Sequence, residues 1–148
     1  MRETREYPAR PIVGVGGVTI RGGFVLLMRR AYQPLQGEWS IPGGGLDVGE
    51  TIADGVRREV EEETGIHVRV LDHIETFERI VRDDFGRVQY HYVILDYLCE
   101  AVGGELRAGG DATDVAWVAE EELPKYSLRD TATRVIVKAF AMARARSA

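Results

Sequence analysis

At 148 residues, 45% of them hydrophobic and 29% charged, the chain has the make-up of one folded domain and not of a disordered or fibrous segment. A net charge of −5 argues against a nucleic-acid duplex as partner, and no apolar run nears the roughly 18–20 residues that span a bilayer. The N-terminal MRETREYPAR is polar and mixed in charge, unlike a secretory signal, so a cytoplasmic location is expected, with residues 1–148 as a single domain.

Residues 11–20 (PIVGVGGVTI) are β-branched and dotted with glycine, which predicts a strand. Gly22 and Gly23 turn the chain into a second strand over 24–29 (FVLLMR). Residues 31–49 read as a loop rich in proline and glycine, carrying Trp39 and the run Pro42-Gly43-Gly44-Gly45. A helix follows over 51–64, with Gly65 placed to end it. From Ile66 the β-branched content returns. Arg82-Asp83-Asp84-Phe85-Gly86 then makes the turn of a long hairpin whose second strand is 88–102. Gly103-Gly104 turns into Glu105-Leu106, a loop holds Gly109-Gly110-Asp111, and 115–118 is a short strand.

The closing helix is marked by Ser127 and Asp130, which fit a capping box. Leu128, Ala132, Val135, Ile136, Ala139, Phe140 and Ala143 then repeat at the spacing of one buried helix face. Two main helices and a mixed sheet in one α/β (α+β) domain are the expectation. Cys99 has no second cysteine to pair with and lies in an apolar run, so it reads as a buried structural thiol.

The helix over 51–64 carries the chemistry. At about 100° per residue, Ile52, Ala53, Val56 and Val60 form its buried stripe, while Asp54 and Glu61 fall on the opposite side as solvated decoration. Glu59, Glu62 and Glu63 instead run alongside the apolar stripe. Three carboxylates at i, i+3 and i+4 repel one another, and the repulsion grows as they lose water. A cation would relieve it, and oxygen-only ligands point to a hard ion, Mg²⁺ first and Mn²⁺ second. Gly55 lies one turn before Glu59 on the same face, where it is either room for metal, water or phosphate or a tolerated defect. Glu50, just ahead of the helix, either points at the same site or pairs with Arg58.

From Gly44 to Ile66 the sequence reads G-x5-E-x7-R-E-V-E-E-E-T-G-I, through Gly44, Glu50, Arg58, Glu59, Val60, Glu62, Glu63, Gly65 and Ile66. This resembles the box that defines the Nudix hydrolases, and the order of elements around it is similar as well. The resemblance implies a Nudix fold, a mixed β-sheet sandwiched between helices, and Mg²⁺-dependent cleavage of a diphosphate. It implies Glu59, Glu62 and Glu63 as metal ligands, with the Gly43 carbonyl as a further one. Arg58 would orient a box carboxylate, Glu50, itself a base or metal-shell candidate. The catalytic set is thus Glu50, Arg58, Glu62 and Glu63. A further acid in the loop before Trp117 is implied too, Asp111 or alternatively Asp114.

Arg29 and Arg30 are candidate phosphate clamps, of which strand alternation lets only one enter the site. Trp39 and Gly44 are further substrate-contact candidates, and Tyr32, Phe85 and Tyr90 are aromatic residues that could stack on a base or simply pack. The stretch from Arg29 to Gly44 and the run His91-Tyr92-Val93-Ile94-Leu95-Asp96-Tyr97 are similar to small bacterial Nudix proteins grouped with ADP-ribose pyrophosphatases. The proline that ADP-ribose-specific members carry beyond the box is absent; Ile80-Val81-Arg82 stand there. The favoured substrate is a nucleoside diphosphate linked to another moiety, ADP-ribose or a nucleotide sugar. The alternatives are a (d)NTP pyrophosphohydrolase and a non-catalytic ligand sensor of the same fold, against which all box carboxylates are present. A small-molecule nucleotide is the expected partner, with a homodimer as the expected assembly.

Overall fold

The computed structural model describes residues 5–33 and 35–147. The strands are β1 (Ile12–Arg21), β2 (Phe24–Arg30), β3 (Trp39–Ser40), β4 (Gly43–Gly45), β5 (Ile66–Arg82), β6 (Val88–Gly104) and β7 (Ala112–Ala119). The helices are α1 (Ile52–Thr64), a 3-10 helix (Glu120–Tyr126) and α2 (Asp130–Ser147). The strands run β3-β2-β1-β6-β5 across the sheet, with β4 added to β1 and β7 to β2. β1 and β6 are parallel, while the other pairings are antiparallel, so the sheet is mixed.

Alternation along the central strands assigns the two faces. Val15 on β1 and Cys99 on β6 pack with Val56 and Val60 of α1, and with Ile66 and Val68. Val18 and Leu98, one face over, pack with Val135, Ile136, Ala139 and Phe140 of α2. The sheet is therefore covered by a helix on each side, as expected. Gly17 is needed for the α1 contact: a Cβ there would stand 2.7 Å from Val60 Cγ2. Cys99 is buried as foreseen, and burial pushes its thiol up to about 12.

α1 is bounded by local chemistry. Thr51 is its N-cap, its hydroxyl accepting from the Asp54 amide at 3.1 Å. Gly65 closes it at φ 76°, with its amide donating to the Glu61 carbonyl, and a Cβ there would meet the Glu105 carbonyl.

Three expectations shift. α2 begins at Asp130, and Ser127, at φ 51°, ends the 3-10 helix instead of capping α2. Pro124 lies inside that 3-10 helix, which sequence periodicity did not reveal. Leu128 still packs on the core, although it precedes α2. β7 is longer than the predicted 115–118 because it pairs with β2 over the latter's whole length. β6 continues to Gly104, where it meets Ile66, so the glycine pair at 103–104 ends a strand and does not break it early.

Candidate active site

β4 runs beside the middle of β1, Gly14 to Gly16 facing Gly45 to Gly43, and sets the glycine run directly over α1. The Gly43 amide donates to Glu63 Oε1 at 2.8 Å. A Cβ on Gly44 would lie 2.6 Å from the Glu59 carboxylate, and one on Gly43 would lie 2.4 Å from the Val15 carbonyl. Only glycine lets the loop come this close. The acidic edge of the helix and the Pro-Gly-Gly loop thus form one structure.

Glu59 and Glu63 are 8% and 1% exposed, whereas Glu62 stands at the rim with half its side chain in solvent. Burial pushes the Glu59 carboxyl above its ordinary range, the Arg58 guanidinium pulls it back, and the charges of Glu62 and Asp111 raise it again. Glu63 is raised much further, first by burial and then by the Glu59 charge, with the Gly43 amide and Arg30 opposing. Its second oxygen, Oε2, is buried and has no hydrogen-bond partner among the described residues. Such an atom costs free energy unless something not held by the chain satisfies it.

Arg58 organises the rest. Its Nε and one terminal nitrogen grip both oxygens of Glu50 at 2.7 and 2.8 Å, a bidentate pair. The same guanidinium reaches Glu59 Oε1 at 2.7 Å, the Gly45 carbonyl at 3.0 Å and Glu62 Oε2 at 3.5 Å. Of the two options left for Glu50, pairing with Arg58 is what the structure has, and it holds the Glu50 carboxyl below its usual range. Glu50 Oε1 also accepts the Asp47 amide at 3.1 Å. Gly55 is explained by the same loop and not by room for metal or phosphate. A Cβ there would meet Leu46 Cδ1 at 2.7 Å and Glu50 Oε1 at 3.1 Å.

In front of Gly43 and Gly44 opens a cleft. Its floor is the sheet face made by Gly14 and Gly16 of β1, Tyr92, Ile94 and Asp96 of β6, and Phe77 and Arg79 of β5. Arg30, Asp111 and Ala132 stand around it. Arg30 is thus the one of the two arginines that the strand brings to the cleft. Arg29 points away, donating from Nε to the Gly37 carbonyl at 2.9 Å with Asp114 at 3.8 Å, so neither Arg29 nor Asp114 joins the site. Trp39 packs edge-on against Tyr126 at 5.1 Å and belongs to the core. Tyr90 is buried against Tyr92, Phe85 is 84% exposed in the β5–β6 turn, and Tyr32 does not line the cleft.

Three charged cleft residues were not foreseen from the sequence: Arg79, Asp96 and Arg5, whose guanidinium lies against Gly45. Arg79 is largely buried, and burial, with the charges of Arg30 and Arg129, lowers its pKa. Its sequence surroundings, Glu78-Arg79-Ile80, give no signal. Asp96 did leave one, as the lone charge in the apolar stretch YVILDYLC. It is 4% exposed, and burial raises its carboxyl to about 7 against the opposing charge of Arg79.

A family profile described as the NUDIX domain matches residues 10–140. The chain belongs to the NUDIX family. It is a Nudix pyrophosphohydrolase, and the family works with divalent metal ions. Over 128 residues it is 33% identical to an ADP-ribose pyrophosphatase of Methanocaldococcus jannaschii, covering 85% of this chain and 73% of that protein. It is 32% identical over 103 residues to the nucleoside triphosphatase NudI of Escherichia coli K12, covering 66% of this chain and 72% of the other. Among solved structures, a MutT NUDIX hydrolase of Burkholderia pseudomallei superposes with a TM-score of 0.74 at 30% identity, covering 87% of this chain and 98% of that one.

Among the described residues, no three histidine, cysteine, aspartate or glutamate side chains are already closed around a point as metal ligands. Glu59 is turned to Arg58 and Glu63 to the Gly43 amide. The donors still fit a hard divalent ion. They are all oxygens, two are buried side by side, and one oxygen atom lacks any partner. No helix among the described residues is long and apolar enough to cross a membrane.

Proposed function

We propose that the chain hydrolyses the diphosphate linkage of a nucleoside diphosphate joined to a second moiety, ADP-ribose before nucleotide sugars, with Mg²⁺ as its metal ion and Mn²⁺ as substitute. The observation that carries this is Glu63, buried beside Glu59 with one oxygen unsatisfied at the edge of the cleft. The 33% identity to a protein named ADP-ribose pyrophosphatase favours that substrate.

Glu59, Glu62 and Glu63, the Gly43 carbonyl and Asp111 would hold the metal. When bound, the metal supplies positive charge to the diphosphate oxygens and acidifies water. The chain's own residues position and neutralise. Arg30 faces the phosphates from the cleft wall, and the bare backbone of Gly44 lets substrate approach α1. Arg58 fixes Glu50 and, through it, the end of the loop. With both oxygens of Glu50 held by Arg58, that carboxylate is a weak base. Glu62, at the solvent rim, is the better placed to take the proton from the attacking water.

Glu62→Gln and Glu63→Gln should both lose Mg²⁺-dependent hydrolysis. Thermal stability should rise with Mg²⁺ in the parent and not in Glu63→Gln. Full activity in both variants would remove the metal-site assignment. A panel of ADP-ribose, nucleotide sugars, dinucleotides and dNTPs, with products identified, tests the substrate: AMP from ADP-ribose is expected. A second reading, cleavage of (d)NTPs, is favoured by the resemblance to a nucleoside triphosphatase. Its mark would be pyrophosphate released from a dNTP.

A further inference from the structure

Asp96 is out of place by every local rule. It sits mid-strand on β6, opposite Gly16 on one neighbour and Glu75 on the other. Its own-face neighbours along the strand are Ile94 and Leu98. Its carboxylate forms no hydrogen bond or ion pair among the described residues; what acts on it is burial, with the charges of Arg79 and Glu75 at longer range. Glu75 is itself engaged, bound by Arg134 of α2 at 3.1 Å. A carboxyl so deeply buried and without a hydrogen bond is an acceptor held in reserve.

The fold keeps space for it. A Cβ on Gly16 would fall 2.2 Å from Asp96 Oδ1, so the glycine is what allows the carboxyl to lie across β1 at the cleft floor. Phe77, Tyr92, Ile94 and Ile41 give the cleft apolar surface alongside the charged Arg30, Arg79 and Asp111. Such walls suit a planar ring. The phosphates would lie toward Gly43, Gly44 and Arg30; Gly43 pairs with Gly16 on one side of β1, and Asp96 pairs with Gly16 on the other.

We propose that Asp96 is a specificity-determining residue: it accepts a hydrogen bond from the exocyclic amino group of a nucleobase seated on the β1–β6–β5 face of the cleft. Once the carboxyl is ionised, above about pH 7, a base carrying an oxo group at that position would bring a second acceptor against it and be rejected. A site built to bond one polar group discriminates strongly against an analogue lacking it. The inference rests on the nucleotide-hydrolase reading above and adds which part of the substrate goes where.

The test, run at about pH 8.5 where the carboxyl is ionised, pairs ADP-ribose with its inosine counterpart, which has an oxo group in place of the amino group and a hydrogen on the adjacent ring nitrogen. The parent should favour ADP-ribose in kcat/KM by roughly tenfold or more. Asp96→Leu, apolar and suited to its neighbours, should bring that ratio close to one, mainly through KM. Asp96→Asn, which can both donate and accept, should narrow the ratio by raising use of the inosine compound. Binding of AMP and IMP without divalent metal, by calorimetry, separates this from the hydrolase reading. Preference for AMP that disappears in Asp96→Leu supports the inference even if neither diphosphate is cleaved. An unchanged substrate ratio in Asp96→Leu, or equal binding of AMP and IMP by the parent, overturns it while leaving the hydrolase reading intact.

Discussion

The two sides of α1 carry the same functional group in opposite surroundings. On the outer side, Asp54 pairs with Arg57 and Glu61 lies 3.4 Å from His67, all in solvent. On the inner side, Glu59 and Glu63 are buried against the glycine loop and repel each other, with Arg58 easing the first and Arg30 the second. Water screens the first pair of acids cheaply. The second pair is tolerable only where the remaining lone pairs meet a cation. A carboxylate's chemistry is therefore decided by which side of a helix it is on, a difference of one or two residues in sequence.

The sharpest way to break that contrast is Glu63→Gln. Activity should fall by about a thousandfold, within the range seen when a positioned acid–base or metal-binding group is lost. Stability of the metal-free protein should rise, because a group whose folded pKa is raised stabilises only below its unfolded pKa and loses that contribution as pH rises. Urea titrations at pH 8 with and without Mg²⁺, beside the activity assay, check both halves. A variant less stable than the parent in the absence of metal would break the contrast.

Asp96 extends the comparison to the sheet, where an acid is buried with little relief. Its carboxyl is raised to about 7 from 3.8, so the folded state holds the proton that the unfolded chain releases. Stability should then decline from about pH 4 to pH 7, by up to about 4 kcal/mol, since each tenfold change in proton affinity is worth about 1.36 kcal/mol. Asp96→Asn should flatten that decline, measurable as the difference in unfolding free energy between pH 5 and pH 8. An identical pH profile in the variant would show that the carboxyl is solvated in the folded protein.

Removal of Arg58 tests the support of the inner edge. Arg58→Ala leaves Glu50 and Glu59 without their partner and should cost about 2 kcal/mol, less than a fully buried pair because the guanidinium is partly exposed. Activity should drop as well, and the denaturant midpoint and kcat report the two losses separately. At the small end, Glu61→Gln should leave stability within about 0.5 kcal/mol and activity unchanged. A large effect there would mean that the outer side is not the inert reference it is taken to be.

The acidic pattern, the glycine that ends α1 and the stripe of α2 were all legible in the sequence, because each is a local matter of period or cap. So was the family, carried by a box within one loop and helix. Helical geometry alone also set Glu59, Glu62 and Glu63 apart from Asp54 and Glu61; of the three, Glu59 and Glu63 are buried and Glu62 stands half in solvent. What could not be read there depends on residues distant in sequence. Pairing with β7 turns Arg29 away from the cleft and leaves Arg30 in it. Packing of Leu46 and Glu50 accounts for Gly55, which the helix by itself left ambiguous. Ser127 has the residue type of a helix cap, yet the 3-10 helix before it decides its backbone. Asp96 and Arg79 enter the site only because β5, β6 and β1 lie side by side. The sequence by itself determined which helix holds the carboxylates and which of them run beside its apolar stripe, since 3.6 residues per turn is fixed by the backbone. Only the tertiary structure decided what faces them, because the cleft is assembled from strands whose neighbours are set by pairing across the sheet and not by distance along the chain.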